Sequence, residues 1–231
     1  MRTLAKIMAV LALVVALCGS LAFSAQAYTL DFTIGGLNPG GSISYAGGTD
    51  HSLVGSGISI INVIGTDTPL HQGETLLITE GVLNFTTGYR NGYTTTPLAS
   101  WSFGSGGSIT IDGNNANFSG NLMTGAFQDA IVVKIGSAGS VAFNITGSNF
   151  TDTKNADLLT YFGIPTGLDF YGNFNIGFTV LSEPAPPGAF SSTSVFSGDV
   201  LNFAVPVPAS LLLLGSGLLG LVGLGFRRGN R

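Results

Sequence analysis

The feature that most constrains the fold of this chain is the alternation of apolar and polar residues in many short segments. Leu30, Phe32 and Ile34 alternate with threonine and aspartate, and Tyr28 extends the pattern. The same period recurs at Ile109 and Ile111, at Val141, Phe143 and Ile145, at Phe174, Ile176, Phe178 and Val180, and at Leu201, Phe203 and Val205. A period of two places one set of side chains in a core and the other in water, which is typical of half-buried antiparallel strands.

Turn-forming residues separate these segments. Glycine, asparagine and proline cluster at residues 38–41, 91–92 and 112–115, where they favour tight turns over helices. About ten short strands connected by such turns predict one all-β domain, built as an antiparallel β-sandwich or jelly roll.

One segment follows a helical period instead. Ala156, Leu159 and Phe162 fall on one face of a predicted two-turn helix. Asp152 or Thr153 is placed to cap its start, and a glycine and a proline follow Phe162 to end it. We expect this helix to pack against one end of the β domain.

The N-terminus predicts export. Arg2 and Lys6 form a basic region, an apolar stretch follows over residues 7–17, and Ala25 and Ala27 supply the small-x-small pattern that signal peptidase accepts. We therefore expect a signal peptide that is cleaved after Ala27.

The C-terminus carries a second apolar segment. An uncharged run over residues 209–226 follows a proline motif and precedes a basic cluster; these flanking residues are Val205, Pro206, Val207, Pro208, Arg227, Arg228 and Arg231. At about 1.5 Å per residue the run makes a helix of roughly 27 Å, which crosses a hydrocarbon core of about 30 Å once. The arginines are expected to stay in the cytoplasm, with the β domain outside.

The chain is thus divided into a signal peptide (1–27), an extracellular β domain (28–204) and a sorting segment with a transmembrane helix (205–231). The proline motif, the glycine-punctuated apolar helix and the arginines resemble the PEP-CTERM sorting signal of bacterial surface proteins, in a Val-Pro-x-Pro variant. Val207 stands where the pattern that names the family has glutamate. An ordinary anchor that is never cleaved is the alternative interpretation of this tail.

This resemblance implies a processing route. In the family, a membrane-embedded exosortase recognises the tail as a temporary membrane stop and processes it near the prolines. Such proteins are similar to products of exopolysaccharide-producing Gram-negative bacteria, and they reach the cell surface or the extracellular matrix. The expected partners are therefore signal peptidase, an exosortase, the membrane and exopolysaccharide.

Charge excludes one class of partner. The β domain keeps three basic residues against all twelve carboxylates, so its net charge is near −9, compared with −4 for the whole chain. Nucleic-acid binding needs a basic surface, and we expect none here. The single cysteine lies in the signal peptide, so the β domain can form no internal disulfide.

Motifs for catalysis are missing from the sequence. It contains no Gly-x-Ser-x-Gly nucleophile elbow and no phosphate-binding loop ending in Gly-Lys-Ser/Thr. Glu74 and Glu80 are candidates for the paired carboxylates of a glycosidase, because that chemistry needs only an acid and a base or nucleophile at a fixed separation. We nevertheless expect a protein that is not an enzyme, with no catalytic or cofactor-binding residues.

Metal binding has weak support. His51 beside Asp50, together with His71, invites a metal or triad interpretation, but adjacent residues of a strand face opposite sides and no third ligand completes a zinc pattern. A loop containing Asp112, Asn114 and Asn117 offers hard oxygen ligands for calcium. The spacing differs from an EF-hand, and asparagine also favours turns. No metal site is predicted.

Aromatic residues leave two interpretations open. Trp101, with Tyr89, Tyr93 and Phe103 nearby, can form a platform for sugar rings or belong to the core. The sequence as a whole predicts an exported, non-catalytic protein of the cell surface or the extracellular matrix, first held as an inner-membrane intermediate. The alternatives are a carbohydrate-binding adhesin, with or without calcium, and a secreted glycoside hydrolase.

Overall fold

The computed structural model describes residues 27–35, 40–135, 150–180 and 184–204, and the backbone of 141–146. Tyr28–Val205 forms one compact unit. The predicted signal peptide up to residue 26 and the predicted membrane helix with its arginines lie outside the described residues.

Thirteen strands and one short helix make up the described fold. In chain order they are β1 (Thr29–Ile34), β2 (Ser42–Tyr45), β3 (Ser52–Thr66), β4 (Thr75–Thr94), β5 (Ser100–Phe103), β6 (Gly106–Asn115), β7 (Phe118–Phe127), β8 (Ala130–Ile135), β9 (Val141–Thr146), β10 (Phe150–Lys154), α1 (Ala156–Phe162), β11 (Phe170–Val180), β12 (Phe190–Ser192) and β13 (Ser194–Ala204). The all-β class with one short helix is confirmed.

Hydrogen bonding joins these strands in one antiparallel sheet. Pairing runs from β3 through β4, β6, β7, β10, β11, β13 and β1 back to β3, so the sheet closes on itself. A second circuit replaces β6, β7 and β10 by β5, β8 and β9. The predicted sandwich or jelly roll has two separate sheets, whereas the described strands all belong to one sheet.

Long irregular strands make this closure possible. The pairing of β3 with β4 shifts register at three places, and Glu80 in β4 has a positive φ of 54°. Each irregularity bends the strand and strengthens its twist. The middle of β4, residues 79–87, pairs with β6, and its last residues, 90–94, pair with β5. Alternation in the sequence does not indicate such bends.

Aromatic side chains fill the interior. Phe85 on β4, Phe127 on β7 and Phe174 on β11 come from strands that do not pair with one another. Their ring centroids lie 5.1–6.0 Å apart, so the contacts cross the core. Tyr45 on β2 likewise packs edge-on against Phe103 on β5, with centroids 5.2 Å apart. Buried aromatic pairs of this kind each add about 0.5–1.5 kcal/mol beyond the area that they bury.

The predicted inward residues are confirmed in several strands and wrong in one. Leu30, Phe32 and Ile34 are buried, as are the alternating apolar residues of β6 and β11. In β13 the pattern is reversed: Asn202 is fully buried, whereas Phe203 is 36 % exposed. The buried amide of Asn202 donates to the backbone carbonyls of Leu30 and Val200, so this polar side chain faces inward.

The helix is present, but it begins later than predicted. Asn155, rather than Asp152 or Thr153, caps it, because its Oδ1 accepts hydrogen bonds from the backbone of Asp157 and Leu158. Asp152 and Thr153 belong to β10 instead. Gly163 ends the helix in the left-handed conformation, with φ of 69°, as the prediction of a glycine stop required. Leu158, Leu159 and Phe162 are buried, whereas Ala156 is exposed.

Candidate functional site

The two ends of the β domain lie side by side. Ala27 is exposed and precedes β1, and β13 ends at Ala204. The backbone N–H of Ala204 donates to the carbonyl of Tyr28 across 2.8 Å. The predicted signal-peptidase site and the start of the predicted sorting segment therefore flank neighbouring, paired strands. Ala25 and the sorting residues from Val205 to Arg231 lie outside the described residues.

The candidate carboxylate pair is divided between two surroundings. Glu74 lies before β4, and its Oε2 is 2.9 Å from Nδ1 of His71. Glu80 lies at the irregularity in β4, and its Oε2 accepts a hydrogen bond of 2.8 Å from the amide of Asn114. Each carboxylate thus has its own partner, and only Glu80 belongs to the strand.

The two histidines also have separate surroundings. His51 is exposed, with Nδ1 2.7 Å from the carbonyl of Gly47, and the neighbouring Asp50 accepts from Thr49 instead. His71 stacks on Tyr161 at 4.0 Å between ring centroids. Desolvation and the carboxylate of Glu74 raise the pKa of Tyr161 above its usual value. This contact attaches the loop between β3 and β4 to α1.

The candidate calcium loop is a β-hairpin. Asp112 and Asn114 lie on β6, and the turn to β7 follows them. Oδ1 of Asn114 accepts from the backbone of Gly120, and Oδ1 of Asp112 accepts from the amide of Asn121. Asn117 donates its amide to Asn115. The side-chain oxygens of Asp112 and Asn114 and the amide nitrogen of Asn117 are thus engaged in holding the turn, which is the use that asparagine commonly has there. Across the described ranges, no three His, Cys, Asp or Glu side chains group as metal ligands.

Burial separates the four candidate aromatic residues. Trp101 and Phe103 are 0 % and 1 % exposed, so they belong to the core, and Nε1 of Trp101 donates to the carbonyl of Gly188. Trp101 therefore offers no platform to a sugar. Tyr89 and Tyr93 are 66 % and 50 % exposed, and the guanidinium of Arg90 lies 5.4 Å from the centre of the Tyr93 ring.

A shallow groove runs over the outer face of β3, β4 and β6. Its volume is about 210 Å³, below the roughly 300 Å³ at which typical ligand pockets begin. Hydroxyl and amide side chains dominate its lining, which comprises Val54, Gly55, Ser56, Asn84, Phe85, Thr86, Ser108 and Thr110. Thr110 lies opposite Asn84 on one side and Thr124 on the other, so a polar row continues across the sheet. Such a surface can hydrogen-bond to a sugar ring.

A buried polar cluster on the inner face of the sheet was not predicted. The side chains of Asp152 and Lys154 on β10 are both fully buried and form an ion pair. Nζ of Lys154 also donates to Oδ1 of Asn202 on β13 across 3.1 Å, and it lies 4.6 Å from the centre of the Phe170 ring. Burial lowers the pKa of Lys154 well below its usual value of 10.5.

One signal in the sequence could have revealed this cluster. Phe150, Asp152 and Lys154 alternate in a single strand, so a strand that buries Phe150 must bury the two charged side chains as well. The predicted helix cap at Asp152 concealed this strand. The partner Asn202, 48 residues later, becomes visible only when β11 brings β10 and β13 together.

Two further carboxylates lie on the outer face of β1 and β13. Burial raises the pKa of Asp31, and the neighbouring Asp199 raises it further. Burial also raises the pKa of Asp199. Oδ1 of Asp31 has no hydrogen-bond partner among the described residues. Ionisation of this pair therefore opposes folding.

Comparison with protein-family models, with curated proteins and with solved structures found no match to this chain. In the part of the chain that the structure describes, no helix has both the length and the apolar character needed to span a bilayer.

Proposed function

We propose that this chain is an exported, non-catalytic protein of the cell surface or the extracellular matrix. Signal peptidase removes residues 1–27, and the C-terminal helix then holds an inner-membrane intermediate. An exosortase recognises the tail, which resembles a PEP-CTERM signal, and processes it near Pro206 and Pro208. The position of the two predicted processing regions relative to the folded domain supports this proposal best.

Both regions lie next to described strands in the sequence. Tyr28 alone separates Ala27 from the first residue of β1, and Val205 follows the last residue of β13 in the sequence. Cleavage at either place removes no residue from a paired strand. Since a backbone hydrogen bond from Ala204 to Tyr28 connects the two ends of the domain, we expect the sheet to stay closed after release. A processing signal that overlapped β13 would instead open the circuit.

The surface chemistry agrees with this location. Of the three basic residues of the domain, Arg90 is 8 % exposed and the side chain of Lys154 is fully buried. Since Asp152 is buried together with Lys154, only the burial of Arg90 makes the accessible surface more acidic than the net charge indicates. Such a surface repels nucleic acid and suits a hydrated matrix, where contact with exopolysaccharide requires either neutral sugars or bridging cations.

Mass spectrometry of the released protein tests the processing. The full chain is expressed in a host that carries an exosortase, and the termini of the surface-released product are determined from its intact mass. We expect a start at Tyr28 and an end near Pro206–Pro208. A matched variant with Pro206 and Pro208 replaced by alanine keeps the helix and the arginines, and it should remain in the membrane fraction. Released protein that retains Arg231 contradicts the proposal.

The carbohydrate-binding adhesin is the second candidate, supported by the polar groove and by the exposed Tyr89. Removing one hydroxyl from the groove with Thr110→Val should reduce binding on a glycan array. Thr151→Val, on the exposed face of β10 outside the groove, is the matched control and should bind normally. Binding that disappears on chelation would assign the calcium-dependent form. An absence of binding by the unmodified protein contradicts this candidate but leaves the processing proposal intact.

A further inference from the structure

Lys154 is a nucleophile with no access to solvent. Its side chain is fully buried, and the nearest ring, that of Phe170, lies 4.6 Å from Nζ. Because burial removes the amine from solvent and so favours its neutral form, the pKa of Lys154 is lowered. A buried ion pair between this amine and Asp152 is by itself weak evidence of a stabilising role, because the cost of desolvation commonly exceeds the attraction. A neutral lysine amine, unlike an ammonium, can act as a nucleophile.

The carboxamide of Asn202 is held in one orientation in front of this amine. Its Nδ2 donates to the carbonyls of Leu30 and Val200, at 3.4 and 3.1 Å. These two bonds assign the oxygen to the opposite side, where it accepts from Nζ of Lys154 at 3.1 Å. Nζ of Lys154 thus contacts the oxygen end of the carboxamide, one bond from the carbon Cγ that it would have to reach for a reaction.

Gly172 provides the space for this approach. It lies on β11, between β10 and β13, opposite Phe150 on one side and Asn202 on the other. A Cβ at this position would lie 2.8 Å from Oδ1 of Asn202 and 2.1 Å from the Phe150 ring. Any other residue here would displace the carboxamide. The absence of a side chain lets Asn202 extend over β11 towards Lys154.

We propose that Lys154 and Asn202 join in an intramolecular isopeptide bond, with Asp152 as the proton carrier. Asp152 contacts Nζ directly and has a second carboxylate oxygen, Oδ2, which is buried and has no partner among the described residues. It is the group that can accept a proton from the amine and return it to the leaving nitrogen. General acid–base catalysis of this kind needs such contact with the reacting atom.

The atoms and protons of the step balance. Asp152 takes a proton from the Lys154 ammonium, and the neutral Nζ attacks Cγ of Asn202 to form the new C–N bond. Asp152 then gives its proton to Nδ2 and takes one from Nζ. The Cγ–Nδ2 bond breaks, ammonia leaves, and ammonia accepts the proton that remains on Asp152. A lysine ammonium and a carboxamide become a secondary amide and an ammonium ion, with no oxidant, reductant or cofactor.

The product is a covalent connection between β10 and β13, which do not pair with each other in the sheet. It joins strands on both sides of β11 and strengthens the closed circuit at the place where β10 completes it. A domain that has no cysteine of its own gains by this route a cross-link that reducing conditions cannot open. This inference concerns the domain alone and does not depend on how the tail is processed.

Peptide mapping of the full chain tests the bond. The intact mass should be lower than that calculated from the observed termini by one ammonia. Trypsin should not cleave after Lys154, because its amine is acylated. Further digestion with chymotrypsin, which cleaves at the aromatic residues between the two positions, should yield a branched peptide whose arms contain Lys154 and Asn202. A succinimide at Asn91-Gly92 would also release ammonia, so the loss of mass alone does not identify the bond. The branched peptide shows that the bond joins Lys154 and Asn202.

Two variants complete the test. Lys154→Met removes the nucleophile, and Asp152→Asn keeps the shape of the side chain but removes the proton carrier. Both should show the full calculated mass, and trypsin should cleave after Lys154 in the Asp152→Asn protein. If Asp152→Asn fails to fold, the peptide map of the unmodified chain decides whether Lys154 and Asn202 are joined. Full mass with complete tryptic cleavage after Lys154, or a mass lower by one water through an amide to Asp152, would overturn the proposal.

Discussion

Replacing Gly172 by alanine measures how tightly the inner face of β11 is packed. The added Cβ would lie 2.1 and 2.3 Å from Cζ and Cε2 of Phe150 and 2.8 Å from Oδ1 of Asn202, closer than any van der Waals contact. The Phe150 ring is fully buried and packs against Phe127, with centroids 5.9 Å apart. It therefore cannot move without displacing a second ring.

The expected cost follows from this overlap. Inserting a methyl group into a well-packed core costs about 1–3 kcal/mol. For a domain of this size, each kcal/mol lowers the melting temperature by about 2–4 °C, so Gly172→Ala should melt about 2–12 °C lower. Urea unfolding can be followed by the fluorescence of Trp101, which is the only tryptophan of the chain and is fully buried.

Gly177 supplies the matched control in the same strand. A Cβ there would meet Phe196 at 3.7 Å and Ser197 at 3.8 Å, which are ordinary contacts. Gly177→Ala should therefore leave stability unchanged or raise it by about 0.4–1 kcal/mol, because alanine restricts the unfolded chain. Equal shifts in the two variants would refute the argument that position 172 has no room for a side chain.

Three further substitutions test the core, the helix cap and the outer carboxylates. Trp101→Ala should cost about 3–5 kcal/mol because a fully buried ring is removed, whereas Tyr89→Ala, at an exposed position, should stay within about 0.5 kcal/mol; urea unfolding followed by circular dichroism measures both, since Trp101→Ala removes the only tryptophan. Asn155→Ala removes the side chain that caps α1 and should cost about 0.5–2 kcal/mol in the same assay. The pKa values of Asp31 and Asp199 are raised above 3.8 in the folded state, so the native protein binds protons more readily than the unfolded chain and stability falls as pH rises through this window. Asp31→Asn should consequently stabilise the protein at neutral pH, and this gain should disappear as pH falls towards 3.8; a gain that persists in acid would show that charge is not its cause.

Several features of the fold could be predicted because local residue order determines them. Leu30, Phe32 and Ile34 alternate without interruption, so the face that they bury follows directly from the pleat of a strand. Gly163 stops α1 because few residues adopt a positive φ at that position. The clusters of asparagine and glycine indicate turns because of their own backbone preferences. None of these features needs a partner that is distant in the sequence.

The same reasoning failed wherever a distant partner decided the outcome. Asn202 faces inward because its oxygen accepts a hydrogen bond from Lys154 and its amide nitrogen donates to the carbonyls of Leu30 and Val200. Of these partners, only Val200 is close to Asn202 in the sequence. Glu74 lies before β4 and bonds to His71, whereas Glu80 lies at an irregularity within β4 and bonds to Asn114 of the paired strand β6. Alternation in one segment carries no information on either.

By itself, the sequence determined the all-β class, the turns and the expectation of export, because side-chain period, turn preference and long apolar segments are local properties of the chain. Only the tertiary structure decided that the sheet closes on itself, that Trp101 belongs to the core and that Lys154, Asp152 and Asn202 meet there. Closure and burial depend on which strands pair, and strands pair through backbone hydrogen bonds that are the same for every residue type except proline.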